Sequence, residues 1–274
     1  MIRLENISFK YKSSDHIVLN NLNFSVNDGE VVAIVGQNGS GKSTIGRLIS
    51  GITKLKNGHI FVDNLDISQK NNGKLIRDKV GIVFQNPENQ IIFNNIYDEL
   101  AFSLKNLEKA EIDERIDAAL KQVGMFEYKN RDLYSLSLGQ KQRIIIAEVL
   151  AQHPKYIIFD EPTTMLDGCG KELVYNIIRD LKEKGYTIIC ITNLADEILL
   201  ADRTLVLKEG RIACEIAKKD LLRSTPILSQ MGIKLPTLLK ILSELQCLGI
   251  NFDLNNFSID EFVHCLEERL KWKI

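Results

Sequence analysis

The run Gly36-Gln37-Asn38-Gly39-Ser40-Gly41-Lys42-Ser43-Thr44 carries the strongest chemical signal in the chain. It follows Val31 to Val35, which reads as a buried strand, and precedes Ile45 to Ile49, a helix start. A strand, a loop of this spacing and a helix form the context a phosphate-binding loop requires. Its glycines admit backbone angles that let successive N–H groups turn onto phosphate oxygens. The helix N-terminus adds partial positive charge. Lys42 is expected to reach the β and γ phosphates, and the Ser43 hydroxyl to ligate Mg²⁺. The bland alternative is a glycine-rich turn that binds nothing. A second chemical position closes the apolar strand Tyr156 to Phe159, which ends in Asp160-Glu161. Adjacent carboxylates at the C-terminal edge of a parallel strand can divide the labour. Asp160 would hold the Mg²⁺ shell, and Glu161 would orient and deprotonate an attacking water.

Three further positions speak more softly. Gln85 ends the short apolar run Val80 to Phe84, a natural place for a Mg²⁺ or water contact; alone it would be an ordinary loop glutamine. Ser137 with Gln140 has the spacing of a helix N-cap with a capping box, another helix end able to meet an anion. Most capped helices bind nothing. Tyr11 is the nearest aromatic upstream of the phosphate loop and can stack on an adenine, although an aromatic after a strand more often packs.

The elements that must position these residues follow from periodicity. Ile2 to Phe9 and Val18 to Val26 alternate as strands, and the short connections make this opening mostly antiparallel. Asn27-Asp28-Gly29 is a turn, and Asn57-Gly58 is a turn into a strand His59 to Val62. Ile96 to Asn130 reads as helical, with Ile112, Ile116, Ala119, Leu120 and Val123 on one face. A helix runs from Ser137 to Leu150, a loop from Thr163 to Asp167, and an amphipathic helix from Lys171 to Lys182. Thr187 to Thr192 is a strand ending at Asn193. Thr204 to Leu207 and Arg211 to Ile216 flank Glu209-Gly210 as a hairpin. Beyond about residue 220 the texture changes, with Pro226, Gly232 and Pro236 before a helix Leu238 to Leu248. A second tail helix, Ser258 to Leu270, starts on a Ser258 to Glu261 capping box. A tail this short buries little core alone, so it packs on the main body or on a partner.

At 274 residues, 45% hydrophobic and 26% charged, the composition is that of a globular protein. The net charge of −1 gives no electrostatic grip on nucleic acid. The 5 cysteines show no metal-ligand spacing, and reduced thiols in the cytosol fit best. No apolar run approaches a membrane span, and no signal peptide is visible. Contact with a membrane would go through another protein.

Taken in this order, the pieces resemble the ATP-binding cassette (ABC) ATPases over roughly residues 1 to 217. The phosphate loop matches Walker A, Gln85 the Q-loop, and Leu136-Ser137-Leu138-Gly139-Gln140 the family signature. Ile157 to Glu161 matches Walker B with its catalytic glutamate, Met165-Leu166-Asp167 the D-loop, and Asn193 the switch-histidine position. The resemblance implies an α/β fold: a P-loop NTPase core with an antiparallel β subdomain and a helical subdomain over about 86–150, plus a small helical C-terminal domain. The cassette would span 1–220 and the C-terminal domain 221–274. ATP and Mg²⁺ are the implied cofactors. Tyr11, Val18, Gly36 to Thr44, Ser137, Gly139 and Gln140 are the implied nucleotide contacts. Ser43, Gln85 and Asp160 are the implied metal contacts; Glu161, Asn193, Gln85 and Lys42 are the implied catalytic residues.

A narrower resemblance, carried by Phe84 to Gln90, Thr164 to Asp167 and the helical tail, is to the ATPase subunits of energy-coupling factor transporters. It implies a peripheral protein on the cytoplasmic face of the cell membrane. Its partners would be a second ATPase subunit, either a copy or a paralogue, a transmembrane coupling subunit and a substrate-binding membrane subunit for a vitamin or metal ion. A dimer is required because ATP is sandwiched between one chain's phosphate loop and the other's signature. Two departures bear on rate. Leu138 replaces the first signature glycine, and would cost about 1 kcal/mol or more if that position needed a positive φ. Asn193 can donate an amide hydrogen bond but cannot relay a proton, and losing a transition-state donor costs up to roughly 10²–10³ in rate. This motivates an alternative reading, a low-turnover nucleotide-binding subunit whose paralogue does most hydrolysis. A cassette acting on ribosomes or DNA fits less well, because no long insertion separates Lys42 from Asp160.

Overall fold

The computed structural model describes residues 1–12, 15–69, 71–233, 235, 237–250 and 264. The first strands are β1 (Ile2–Phe9) and β2 (Leu19–Val26). They bury Ile2, Leu4, Ile7, Phe9, Leu19, Leu22 and Val26. Next come β3 (Val31–Gly36), α1 (Lys42–Ile49), β4 (Asn57–Val62), β5 (Leu65–Asp66), α2 (Asn72–Arg77) and β6 (Val80–Val83). Asn57 and Gly58 lie inside β4 instead of forming a turn before it. Gly58 sits at φ 92° against Asn6 at φ 53°, where the β1–β4 register shifts, so the glycine marks a bulge.

The predicted helix over Ile96–Asn130 is two helices, α3 (Ile96–Ser103) and α4 (Lys109–Gln122). Leu104 ends the first with a non-helical φ/ψ, and extended Glu108 caps the second. Asn106 between them favours a turn over a helix interior. The break lets α4 fold back onto α5 (Leu138–Ala151). The remaining elements are β7 (Tyr156–Asp160), α6 (Gly168–Glu183), β8 (Thr187–Thr192), α7 (Ala195–Leu200), β9 (Arg203–Lys208), β10 (Arg211–Ala217), α8 (Thr225–Gln230) and α9 (Thr237–Cys247). The expected helix Ser258 to Leu270 lies outside the described residues.

Two sheets result. One is antiparallel, in the order β2-β1-β4-β5; the other runs β10-β9-β3-β8-β7-β6 and is parallel except for the β9–β10 hairpin. Alternation along the parallel strands splits the interior into two cores. Val32, Ile34, Ile158, Ile189, Ile191 and Leu205 face α1 and the antiparallel sheet. Val31, Ala33, Val35, Ile157, Phe159 and Cys190 face α3 to α7. Leu228, Leu239 and Leu242 of the tail join this second core, so the tail packs on the main body at least that far.

Register decides where the chemistry lands. Val35 of β3 pairs with Thr192 of β8, and Asp160 of β7 pairs with Ile191. The C-terminal ends of β3, β8 and β7 therefore lie side by side. The phosphate loop, Asn193 and Glu161 leave the sheet together, at the edge where open α/β sheets bind ligands.

Between α3 and α5, burial and the neighbouring Glu99 push the Glu148 carboxyl up from 4.5 to about 8. From about pH 4.5 to 8 the unfolded chain is ionised while the folded chain keeps this proton. Stability therefore falls as pH rises through that window and levels off above it. Glu148→Gln should stabilise the protein by on the order of 2–4 kcal/mol at pH 8.5 and by far less at pH 4.5, read from denaturant midpoints at both values.

Candidate nucleotide site

The phosphate loop is shaped by positions that accept only glycine. A Cβ on Gly36 would lie 2.3 Å from the Leu207 carbonyl oxygen. Gly41, at φ 105°, is the N-cap of α1, and no side chain caps that helix. Its first N–H groups are thus left for an external acceptor. The Ser40 hydroxyl is buried without a hydrogen-bond partner. A buried orphan donor beside an uncapped helix N-terminus fits a phosphate group. Lys42 is only 5% exposed, and its Nζ donates to the carbonyls of Gly36 (2.9 Å) and Gln37 (3.1 Å). Burial lowers its pKa, while Glu161 and Asp160 oppose the shift.

Ser43 and Asp160 meet directly, Oγ donating to Oδ1 at 2.9 Å. Burial raises the Asp160 pKa, and the Ser43 hydrogen bond opposes it. Two hard oxygens facing one another at the mouth of the phosphate loop suit Mg²⁺, which completes its shell with phosphate and water oxygens. Among the described residues, no cluster of three or more His, Cys, Asp or Glu could hold a metal on its own. Gln85 is exposed and lines the same cleft as Lys42, Ser43 and Glu161.

Glu161 departs from ordinary backbone geometry. It takes φ 53°, a left-handed conformation that costs a non-glycine residue roughly 1–2 kcal/mol. Its N–H donates to the Ile191 carbonyl at 2.8 Å, extending the β7–β8 pairing by one residue and aiming the side chain into the cleft. There the Asn193 amide donates to Glu161 Oε1 (2.8 Å) and to Asn38 Oδ1 (2.7 Å). Thr164 Oγ1 donates to the other oxygen, Oε2, at 3.3 Å. One asparagine thus ties the carboxylate to the phosphate loop.

Tyr11 and Val18 line the outer end of this cleft. The Tyr11 hydroxyl lies 3.1 Å from Thr44 Oγ1, and its ring meets Phe9 edge-on with centroids 4.9 Å apart. On the far side of the loop, Gln37 Nε2 donates to the Met231 carbonyl at 3.3 Å, so the tail touches the phosphate loop.

Ser137, Gly139 and Gln140 stand elsewhere. They line a separate cleft with Met165, Leu166 and Asp167, and none of these residues lines the phosphate-loop cleft. The capping box is formed: Ser137 Oγ accepts from Gln140 N (3.3 Å), and Gln140 Oε1 accepts from Ser137 N (2.9 Å). Leu138 is the first residue of α5, with no positive φ, so the leucine carries no backbone penalty.

Sequence reasoning missed the side chains that connect these parts. Gln90 accepts from Phe84 N (2.7 Å) and donates to Ile82 O (3.2 Å), bracing the segment before Gln85. Gln142 Nε2 donates to Phe84 O (3.2 Å), and Lys141 pairs with Glu88 (2.7 Å), which fastens the Gln85 loop to α5. Both residues follow Gln140 directly, the only signal that could have found them. Fully buried Glu197 accepts from Thr163 Oγ1 at 2.5 Å. Burial pushes its carboxyl up to about 7.

Comparison with known proteins agrees with this geometry. The ABC transporter family matches residues 19–164. The energy-coupling factor transporter ATP-binding protein EcfA1 of Clostridium novyi is 38% identical over 97% of this chain and 97% of its own length. That of Ligilactobacillus salivarius is 40% identical over 97% and 95%. Among solved structures, cbiO1 from Clostridium perfringens, part of an ABC transporter complex, superposes with a TM-score of 0.75 at 33% identity, over 88% of this chain and 97% of that one. An ATP-binding cassette dimer in a post-hydrolysis state, bound to ADP and Pi, gives a TM-score of 0.73 at 29% identity, over 80% and 99%.

Proposed function

The chain belongs to the ABC transporter family, among the energy-coupling factor ATP-binding proteins, and from that premise we propose how it turns over ATP and what it drives. It is the ATP-binding and ATP-hydrolysing subunit of an importer of the energy-coupling factor type, for a vitamin or metal ion. The observation that carries the reading is the convergence of Lys42, Ser43–Asp160 and Asn38–Asn193–Glu161 on one cleft, with the signature opening onto another. A nucleotide in the first cleft is finished only by the signature of a second ATPase chain.

The loop N–H groups and Lys42 hold the β and γ phosphates. Ser43 and Asp160, with Gln85 beside them, would hold Mg²⁺, which when bound would neutralise charge developing on the phosphates. Tyr11 and Val18 face the adenine. Glu161, oriented by Asn193, takes the proton of the attacking water. Asn193 needs no charge for that task, which removes the motive for the low-turnover alternative. ATP closes the dimer, and hydrolysis with product release opens it. Residues 1–220 act as the cassette, 86–150 as its helical subdomain, and 221–274 as an added C-terminal domain. No helix among the described residues is long and apolar enough to cross a membrane. As in the energy-coupling factor relatives, force would reach the bilayer through a transmembrane subunit at the cytoplasmic face. Ile92 (65% exposed), just after the Gln85 loop, and Phe102 (45% exposed), whose ring meets Phe93, offer it an apolar seat.

Complementation tests the composite site. Lys42→Ala and Ser137→Arg chains should each be inactive alone. Mixed, they leave one intact site per mixed dimer and should recover turnover if the chain pairs with itself. Recovery only in the presence of the native second ATPase would identify a paralogue as partner. Full activity of the Ser137→Arg chain alone would overturn the shared site.

A further inference from the structure

Behind the Glu161–Asn193 pair, away from the cleft, Glu197 of α7 is 0% exposed. One of its oxygens accepts the Thr163 hydroxyl at 2.5 Å, and the carboxyl also meets the Thr192 hydroxyl at the end of β8. Thr163 is itself fully buried. Burying a carboxyl group this way costs free energy that an apolar side chain of similar size would not. Thr163 stands two residues after Glu161, whose left-handed backbone must be held in place by its surroundings. The segment is a compact turn: Thr164 N donates to Glu161 O (3.3 Å) and Leu166 N to Thr163 O (3.1 Å). Glu197 in turn stands four residues after Asn193, on the helix that follows the Asn193 turn. The two segments that carry Glu161 and Asn193 are thus tied twice. The first tie is the Asn193–Glu161 hydrogen bond in the cleft, and the second is Thr163–Glu197 beneath it.

We propose that Glu197 is a positioning residue for ATP hydrolysis, whose hydrogen bond with Thr163 holds the strained Glu161 turn in register with Asn193. It touches neither nucleotide nor water, and acts only through the Glu161 turn. The inference rests on the ATPase reading above for its kinetic arm and is independent of it for its structural arm. A group that sets the geometry of a base shows itself in kcat, not in nucleotide binding.

The test uses the full chain in three forms: wild type, Glu197→Leu and Glu197→Gln. Leucine fills the space without accepting a hydrogen bond; glutamine keeps the acceptor. In the native complex, Glu197→Leu should lower kcat by about 10- to 100-fold with KM for ATP unchanged, and Glu197→Gln should restore most of it. Thr163→Val should match Glu197→Leu, and the double variant should be no worse than either. Without nucleotide, hydrogen exchange at the Thr164 and Leu166 amides should quicken about tenfold in Glu197→Leu and stay at the wild-type rate in Glu197→Gln. Exchange at the wild-type rate in Glu197→Leu, or an unchanged kcat, would overturn the proposal. So would equal losses in the Leu and Gln variants. A wild-type complex that fails to hydrolyse ATP would overturn the ATPase reading instead, and the exchange arm would still decide the role of Glu197.

Discussion

Glu161→Gln should abolish steady-state ATP hydrolysis, with a fall in kcat of about 10³-fold or more, while ATP still binds. The geometry leaves little room for another base. Glu161 is the carboxylate that enters the cleft without being committed to the cation position, since Asp160 already accepts from Ser43 at 2.9 Å. Glutamine fills the same space and can still meet Asn193 and Thr164, so the loss isolates proton transfer from packing. Because the closed dimer then lacks its opening step, the variant should accumulate as an ATP-bound dimer in size-exclusion chromatography. Retained turnover would mean that the water is activated by phosphate or by another residue.

Asn193→Ala should lower kcat by about 10²-fold, with a much smaller change in ATP affinity. Two effects combine. Its amide donates to Glu161 Oε1 and to Asn38 Oδ1, so its loss frees the base and loosens the base from the phosphate loop. Asn193→His separates this account from the low-turnover alternative. If Asn193 already orients Glu161, histidine should change kcat by less than about threefold. If asparagine were a defect, histidine would raise turnover by tenfold or more. Single-turnover and steady-state ATP assays on the three proteins give the answer directly.

Much of this site was legible in the sequence because its parts are local. The phosphate loop is contiguous, the Ser137–Gln140 box spans one helical turn, and Asp160-Glu161 follow an apolar strand directly. Each depends on backbone geometry that neighbouring residues impose. The connections between the parts were not legible, because they are long-range and depend on burial. No motif or periodicity marks Glu197 in the sequence, and only the packing of α7 against β8 and α6 encloses it. The role of Asn193 depends on two distant partners, Glu161 just after β7 and Asn38 of the phosphate loop. The cost of Leu138 depends on its φ, which the start of α5 sets and the residue type does not. The helix break at Leu104 to Glu108 escaped because apolar spacing continues through it, while α4 turns back to pack on α5.

The most direct test of the central claim is ATP turnover by the complex isolated from native membranes through an affinity tag on this chain. The account predicts that an integral membrane protein co-elutes in fixed proportion, that the eluate hydrolyses ATP, and that the same complex carrying Glu161→Gln keeps its composition and loses hydrolysis. A chain that elutes free of integral membrane protein, or a complex whose hydrolysis survives Glu161→Gln, would contradict it.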